Sequence, residues 1–126
     1  MPLVRISVLR GKPAAPLPEL GDAVHRALVA TIDVPAKDRF QVLSRHEPGE
    51  LVYDRDYLGI ERSDGLVVVQ ITLSTGRSLE KKRALYRRIA DNLAELGVRR
   101  EDVMVNLVEV SSQNWSFGNG IASYAP

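Results

Sequence analysis

The sequence predicts an α+β fold in which two β-α-β units form one four-stranded mixed sheet with two helices on one face. Three observations predict it. Residues 3–9 alternate in polarity, residues 66–73 are almost continuously apolar, and each of these segments is followed by an amphipathic helical stretch and a further strand. A chain of 126 residues has the length of one domain, so we expect residues 1–126 to form a single domain.

The first unit begins with the strand over residues 3–9. Val4, Ile6 and Val8 share one face, which is typical of a half-buried strand. Residues 11–16 contain glycine and prolines that end the strand, and Pro18 suits the first turn of a helix that runs to about Ile32. The expected buried stripe of this helix follows three- and four-residue spacing and consists of Leu20, Val24, Ala27, Leu28 and Thr31.

The unit closes with a strand over residues 39–45, after Pro35 has stopped the helix. Residues 46–50 predict a turn that leads into a short hairpin or extension over residues 51–53. Residues 54–65 are polar and predict a loop.

The second unit starts with the apolar segment 66–73, which predicts a central strand covered on both faces. Ser78 can cap the next helix, and Gly97 suits the left-handed residue that ends it. Residues 103–110 predict the last strand. The apolar side of the helix recurs at Leu85, Ile89, Leu93 and Leu96.

The order of elements suggests an internal duplication, with halves at about residues 2–53 and 66–110. A gap-free shift of 64 positions places Val4 on Val68 and Leu43 on Leu107. Right-handed crossovers would put both helices on one face of the sheet. The other face stays uncovered in a single chain, and the apolar tail around Trp115 and Phe117 adds to it, so we expect an oligomer.

The composition excludes several classes of function. Hydrophobic residues make up 44% and charged residues 26%, which is ordinary for a globular protein. The net charge of +1 gives no reason to expect a nucleic-acid or anionic-lipid partner. The absence of cysteine excludes disulfides, zinc-thiolate sites and thiol nucleophiles. No segment approaches the ~18 apolar residues of a membrane helix, so a cytoplasmic protein is the default expectation.

Neither histidine is a strong candidate for chemistry. His25 falls in the first helix and His46 at a turn, and they form no pair. For each we favour a surface or hydrogen-bonded histidine over a catalytic one. A metal would depend on these two residues and carboxylates alone, and we expect none.

The amino terminus offers a less usual candidate. Methionine is readily removed from a Met1-Pro2 start, which would leave a secondary amine at the head of a strand. An α-amino group has a reference pKa of about 7.7–8.0, so it could act as a base near neutrality. Taken by itself, Pro2 is more simply a residue that begins a strand.

Other polar residues fall at the ends of predicted elements. Asp38 lies on the turn before the second strand, and Arg77 lies where the apolar strand leads into the second helix. If the first and third strands are neighbours, Pro2 and Arg77 could reach one pocket walled by Trp115 and Phe117. Taken singly, each polar residue is better explained as an exposed turn residue or a member of a surface ion pair.

Six short segments stand out by their residues and their spacing. They are Met-Pro at residues 1–2, Val-Pro-Ala-Lys-Asp-Arg-Phe-Gln at 34–41, His-Glu-Pro-Gly-Glu at 46–50, Leu-Gly-Ile-Glu-Arg-Ser at 58–63, Gly-Arg-Ser at 76–78 and Asn-Trp-Ser-Phe-Gly-Asn-Gly at 114–120. In this order and at this spacing they resemble the tautomerase superfamily in its malonate semialdehyde decarboxylase-like branch. The resemblance runs from Pro2 to about Ala122.

The resemblance implies a homotrimer of duplicated β-α-β chains, no metal or organic cofactor, and a small carboxylic acid as substrate. It matches Pro2 to the catalytic proline, Asp38 to the active-site aspartate and Arg77 to the arginine that binds or polarises the substrate. Trp115 and Phe117 match its apolar wall. The decarboxylase has Arg-Pro-Arg where this chain has Thr75-Gly76-Arg77, so the first arginine of the pair is absent.

Three functions follow as hypotheses. The first is a cofactor-independent keto-enol tautomerase that acts on a small 2-oxo or enol acid, with neutral Pro2 as the base. The second is a decarboxylase or hydratase in which Pro2 is cationic and polarises a carbonyl. The missing arginine counts against this second hypothesis, because a paired clamp orients a carboxylate better than one guanidinium does. The third is a non-catalytic trimeric binding protein.

Overall fold

The computed structural model describes residues 1–125 and shows one four-stranded mixed sheet with two helices on one face. The strands are β1 (Leu3–Leu9), β2 (Phe40–His46), β3 (Val67–Ser74) and β4 (Val103–Val110), and the helices are α1 (Leu17–Ile32) and α2 (Leu79–Glu95). The sheet order is β2-β1-β3-β4. The outer pairs are parallel and the central β1–β3 pair is antiparallel. The predicted fold class is confirmed.

The core lies between the sheet and the two helices. The alternation predicted for β1 is confirmed, since Val4, Ile6 and Val8 are buried against the helices. The apolar sides of the helices complete the core with Leu20, Val24, Ala27, Leu28, Leu85, Ile89 and Leu93. Burial of these side chains supplies most of the driving force for folding.

Helix α1 differs from its prediction at the C-terminal end of the apolar stripe. It starts at Leu17, so Pro18 occupies the first turn as expected. Thr31 is only half-buried, because its hydroxyl donates a hydrogen bond to the Ala27 carbonyl within the same helix, at 2.7 Å. Thr31 therefore does not belong to the core.

The ends of α2 follow local rules. The Ser78 hydroxyl accepts a hydrogen bond from the Lys81 amide at 3.2 Å, which confirms the predicted N-cap. The helix ends at Glu95, so Leu96 lies just beyond it and is half-buried. Gly97 has a φ of +91°, a conformation that other residues adopt at a cost.

The prediction that β3 is covered on both faces is wrong for the single chain. Val67, Val69, Ile71 and Leu73 are buried under the helices, but Gln70 on the other face is exposed. Val68 and Thr72 lie on that same face and are only half-buried, because no strand or α-helix within residues 1–125 covers it. We call it the open face of the sheet.

The predicted shift of 64 positions between the two halves is wrong for β1 and β3, as the pattern of buried residues shows. Val4 faces the helices, whereas Val68 lies on the open face, so the shift of 64 puts β1 and β3 out of phase. An offset of 65 aligns the buried residues of β1 with β3, and it also aligns Leu20 with Leu85. The offset of 64 holds for β2 and β4, where Leu43 and Leu107 both pack on the core.

The segment between the two units is mostly loop, as predicted. Within the described part of the chain, residues 51–53 form no strand, and the expected hairpin is reduced to an isolated bridge between Pro48 and Leu51. The loop is fixed to the start of β4 by the buried Asp102, which accepts hydrogen bonds from the Ser63 amide at 2.7 Å and the Ser63 hydroxyl at 2.5 Å. None of the helices within residues 1–125 combines the length and apolarity that crossing a membrane requires.

Candidate active site

Topology brings four chain segments to one end of the sheet. Because β1 and β2 run antiparallel to β3 and β4, the starts of the first two strands lie beside the ends of the other two. Leu3 is paired with Phe40 on one side and with Thr72 on the other. Pro2, the turn before β2, the exit of β3 and the segment after β4 therefore meet at this end.

The amino terminus lies against Asp38. The amino group of Met1 donates to the Asp38 carboxylate, and Pro2, the next residue, is buried. Only 14% of the Asp38 side chain is exposed. The carboxylate is thus directed at the chain terminus, from a tight turn in which the Asp38 amide donates to the Pro35 carbonyl at 2.9 Å.

Ser74, the last residue of β3, holds two predicted site residues. Its carbonyl accepts a hydrogen bond from the Arg77 guanidinium at 2.9 Å, and its hydroxyl accepts one from the Trp115 indole at 3.0 Å. Gly76, with a φ of +121°, makes the turn that folds Arg77 back onto the strand. Within residues 1–125 Arg77 forms no ion pair. The guanidinium N–H groups that do not bond to Ser74 are therefore available to an anion.

A cluster of four aromatic rings lies beside these groups. Phe117 is at its centre. It stacks on Trp115 with ring centroids 5.4 Å apart, and it contacts Phe40 at 5.6 Å and Tyr124 at 5.3 Å. The chain end is folded back onto this cluster, because the Ser123 amide donates to the Trp115 carbonyl at 3.2 Å and the Ser123 hydroxyl accepts from the Phe117 amide at 3.1 Å.

Tyr124 links the aromatic cluster to Asp38. Partial burial, and then the negative charge of Asp38, raise the pKa of the Tyr124 phenol above its ordinary 10.0. The phenol therefore stays protonated at neutral pH. A neutral hydroxyl close to a carboxylate can donate a hydrogen bond to it or to a bound acid.

Three further residues belong to this site and were not predicted from the sequence: Phe40, Ser74 and Tyr124. Phe40 is the first residue of an edge strand, and Ser74 is a small polar residue at a strand end, so neither position signals a special role. Tyr124 lies beyond the last periodic segment. Only the tertiary structure brings it to Asp38.

The two histidines lie elsewhere. His25 is buried, with its ring Nε2 2.8 Å from the Ala36 carbonyl, which confirms the expectation of a hydrogen-bonded histidine. His46 is half-buried on the open face. Within residues 1–125 no three His, Asp or Glu side chains come together as metal ligands would.

A concave groove lies on the open face and is separate from the site formed by Pro2, Asp38 and Arg77. It is a groove of about 740 Å³ between the sheet and the 50–62 loop, lined by Ser7, Tyr53, Tyr57, Val68 and Met104 among others. Pro2, Asp38, Arg77, Trp115 and Phe117 are not part of its lining. Its volume alone does not connect it to the chemistry.

A family model and a curated relative both identify this chain as similar to tautomerases. Residues 38–118 match the family model described as "Tautomerase enzyme". The chain is 42% identical over 123 residues to the probable tautomerase YusQ of Bacillus subtilis (strain 168), covering 97% of each protein.

Solved structures of related proteins share the fold of this chain. The structure of FG41 malonate semialdehyde decarboxylase inhibited by 3-bromopropiolate superposes with a TM-score of 0.90 at 35% identity, covering 97% of this chain and 93% of that one. A fused 4-OT symmetric trimer superposes with a TM-score of 0.75 at 23% identity, covering 97% of each chain, and shows the shared fold. The chain belongs to the tautomerase family of enzymes.

Proposed function

We propose that the chain catalyses keto-enol tautomerisation of a small 2-oxo carboxylic acid, with the amine of Pro2 as the base once Met1 has been removed. The observation that carries the proposal is the position of Asp38 at the amino end of β1, where its carboxylate pairs with the Met1 amino group next to the buried Pro2, beside an aromatic cluster and a guanidinium. Removal of Met1 would transfer the free amine to Pro2, one residue along the same buried strand start.

The reaction is a proton transfer in two steps. The neutral Pro2 nitrogen takes the hydroxyl proton of the enol, and the C=O bond forms as the electron pair of the double bond shifts to carbon. The resulting ammonium returns a proton to that carbon, so that the product is the keto isomer and the amine is neutral again. No atom is gained or lost.

Each remaining side chain has one role. Asp38 stabilises the transient ammonium of Pro2 and fixes its orientation. The free part of the Arg77 fork binds the substrate carboxylate or the developing oxyanion. Trp115 and Phe117 exclude water and favour a planar substrate. Nothing in this scheme uses a metal or an organic cofactor.

The second candidate is a lyase of the malonate semialdehyde decarboxylase type with a cationic Pro2. The similarity to a solved decarboxylase supports it. So does the Asp38 carboxylate, which pairs with the Met1 amino group and would lie beside the Pro2 ammonium that this mechanism needs. The single arginine counts against it, because only Arg77 is present to hold the carboxylate.

The two candidates are separated by assaying protein whose intact mass lacks Met1. We expect it to consume the enol absorbance of phenylenolpyruvate well above the buffer rate and to release little acetaldehyde from malonate semialdehyde. Rapid release of acetaldehyde without enol turnover would instead establish the lyase.

We also propose that three copies form the working unit and cover the open face. Exposed apolar side chains lie on this face of β2 and β4: Phe40 (48% exposed), Val42 (41%), Met104 (50%) and Val108 (37%). Large apolar side chains exposed on one face of a sheet are typical of an interface between subunits. The trimeric assembly of the fused 4-OT structure supports three as the number.

The predicted mass in light scattering is three times the 14.0 kDa of one chain. Met104→Glu, which puts a charge on the open face, should shift the protein to a single chain, whereas Arg87→Glu on the exposed side of α2 should leave the mass unchanged. A wild-type protein that elutes and scatters as a 14.0 kDa monomer at working concentration would contradict the proposal.

A further inference from the structure

His25 is a buried polar side chain that the proposed mechanism does not use. It lies on α1 and is only 9% exposed. Its Nε2 is 2.8 Å from the Ala36 carbonyl oxygen. Because a carbonyl oxygen can only accept, Nε2 carries the proton and donates it. The bond ties the helix to the loop that follows it.

That loop carries Asp38. Ala36 and Asp38 belong to one tight turn, closed by the hydrogen bond from the Asp38 amide to the Pro35 carbonyl at 2.9 Å. The buried His25 therefore holds this turn through the Ala36 carbonyl, while the Asp38 carboxylate of the same turn accepts from the Met1 amino group. A shift of the Ala36 carbonyl would move the carboxylate with it.

Two other contacts fix the chain just after Asp38. Arg39 pairs with Asp22 at 2.6 Å, and the side-chain amide of Gln41 donates to the Gly21 carbonyl at 2.9 Å. Gly21, Asp22 and His25 lie within five consecutive residues of α1. This short part of the helix therefore contacts the 36–41 segment at three points.

The contact from His25 is the one best suited to fix Asp38. The Arg39–Asp22 pair is 38% and 50% exposed, and ion pairs of this kind contribute little because water competes for both charges. Gln41 lies three residues beyond Asp38. The His25 side chain is only 9% exposed, so water competes less for this hydrogen bond, and its loss would leave the Ala36 carbonyl without this donor.

We infer that His25 is a positioning residue of the active site, which sets the placement of the Asp38 carboxylate through the Ala36 carbonyl. The inference rests on the proposed function insofar as it assigns Asp38 to the Pro2 amine. It concerns α1, which supplies none of the groups that touch the substrate in the proposed mechanism.

Three variants of the full-length protein test it. His25→Leu removes the donor at similar volume, His25→Gln restores a donor near the position of Nε2, and Asn92→Leu serves as the control. Asn92 also donates to a backbone carbonyl of α1, that of Ala23 at 3.0 Å, but it lies on α2 and, within residues 1–125, its side chain makes no hydrogen bond to the turn over residues 35–38.

We expect His25→Leu to lower kcat on phenylenolpyruvate by about ten-fold with KM within about two-fold, the effect of a small displacement of a catalytic group. His25→Gln should recover most of the loss. Asn92→Leu should lower the melting temperature by a similar amount with kcat unchanged. Equal losses of kcat in His25→Leu and Asn92→Leu, or no loss in either, would overturn the inference.

A double-mutant cycle shows whether His25 acts through Asp38. In an Asp38→Asn background His25→Leu should cost much less than it does in the wild type, because the group it positions is already gone. If the two losses multiply instead, His25 acts on the fold in general and the inference is wrong.

A readout without substrate keeps the inference separate from the proposed function. Amide hydrogen exchange at Asp38 should become faster in His25→Leu and return towards wild type in His25→Gln, whether or not any enol acid is turned over. Unchanged protection of that amide would contradict the inference. Lack of enol turnover by the wild type would contradict only the proposed function.

Discussion

Replacing Pro2 by alanine is expected to lower kcat/KM on an enol acid by about 10²- to 10⁴-fold, which is the usual contribution of a general base. The pyrrolidine ring of Pro2 is buried at the start of β1, so it holds the nitrogen in one position. Alanine leaves a primary amine that rotates about its bond to Cα and is more strongly hydrated. Steady-state kinetics on protein of verified intact mass measures the loss.

A variant with a bulky residue inserted between Met1 and Pro2 is the matched control, since it retains methionine and converts the Pro2 nitrogen to an amide. It should be at least as impaired as Pro2→Ala, because an amide nitrogen has no useful basicity. Wild-type activity in either variant would remove Pro2 from the mechanism.

Replacing Asp38 by asparagine is expected to lower kcat by about 10²-fold, which is typical for the loss of one preorganised electrostatic contact in an active site. Asparagine keeps the shape of the side chain, so the turn closed by the Asp38 amide and the Pro35 carbonyl should persist. What is lost is the negative charge that Asp38 places at the amino end of β1, where it pairs with the Met1 amino group.

Asp33→Asn provides the control for charge. Asp33 lies at the end of α1, its side chain is 83% exposed, and its pairing with Lys81 at 3.4 Å is at the surface. Asparagine tolerates the left-handed conformation that Asp33 adopts at φ 60°. Activity should stay within about two-fold of wild type, as for most surface substitutions. Equal losses in Asp33→Asn and Asp38→Asn would show that net charge, and not placement, is responsible.

Much of the architecture could be predicted, because it depends on local patterns that are visible in the sequence. Alternation over β1, the Ser78 cap and the left-handed Gly97 each depend on a few neighbouring residues, and the structure confirms all three. The half-buried Thr31 departs from periodicity because a hydroxyl can bond within its own helix, which an apolar side chain cannot do.

The site was only partly predictable, because it is assembled by distant parts of the chain. Asp38 and Trp115 could be proposed from their motifs, but the contacts of Phe117 with Phe40 and Tyr124 join segments more than 70 residues and only 7 residues apart, with no shared period. The position of His25 below the Asp38 turn depends on the packing of α1 against the loop, and hydrophobic spacing carries no information about that contact.

The central claim, that a neutral Pro2 amine is the base, is tested most directly by the pH dependence of kcat/KM on phenylenolpyruvate with protein that lacks Met1. A base must be unprotonated in the free enzyme, so kcat/KM should rise ten-fold per pH unit below the pKa of the amine and level off above it. The reference α-amino pKa of about 7.7–8.0 sets the range to be covered. A value of kcat/KM that instead falls through that range would require the cationic proline and contradict the claim.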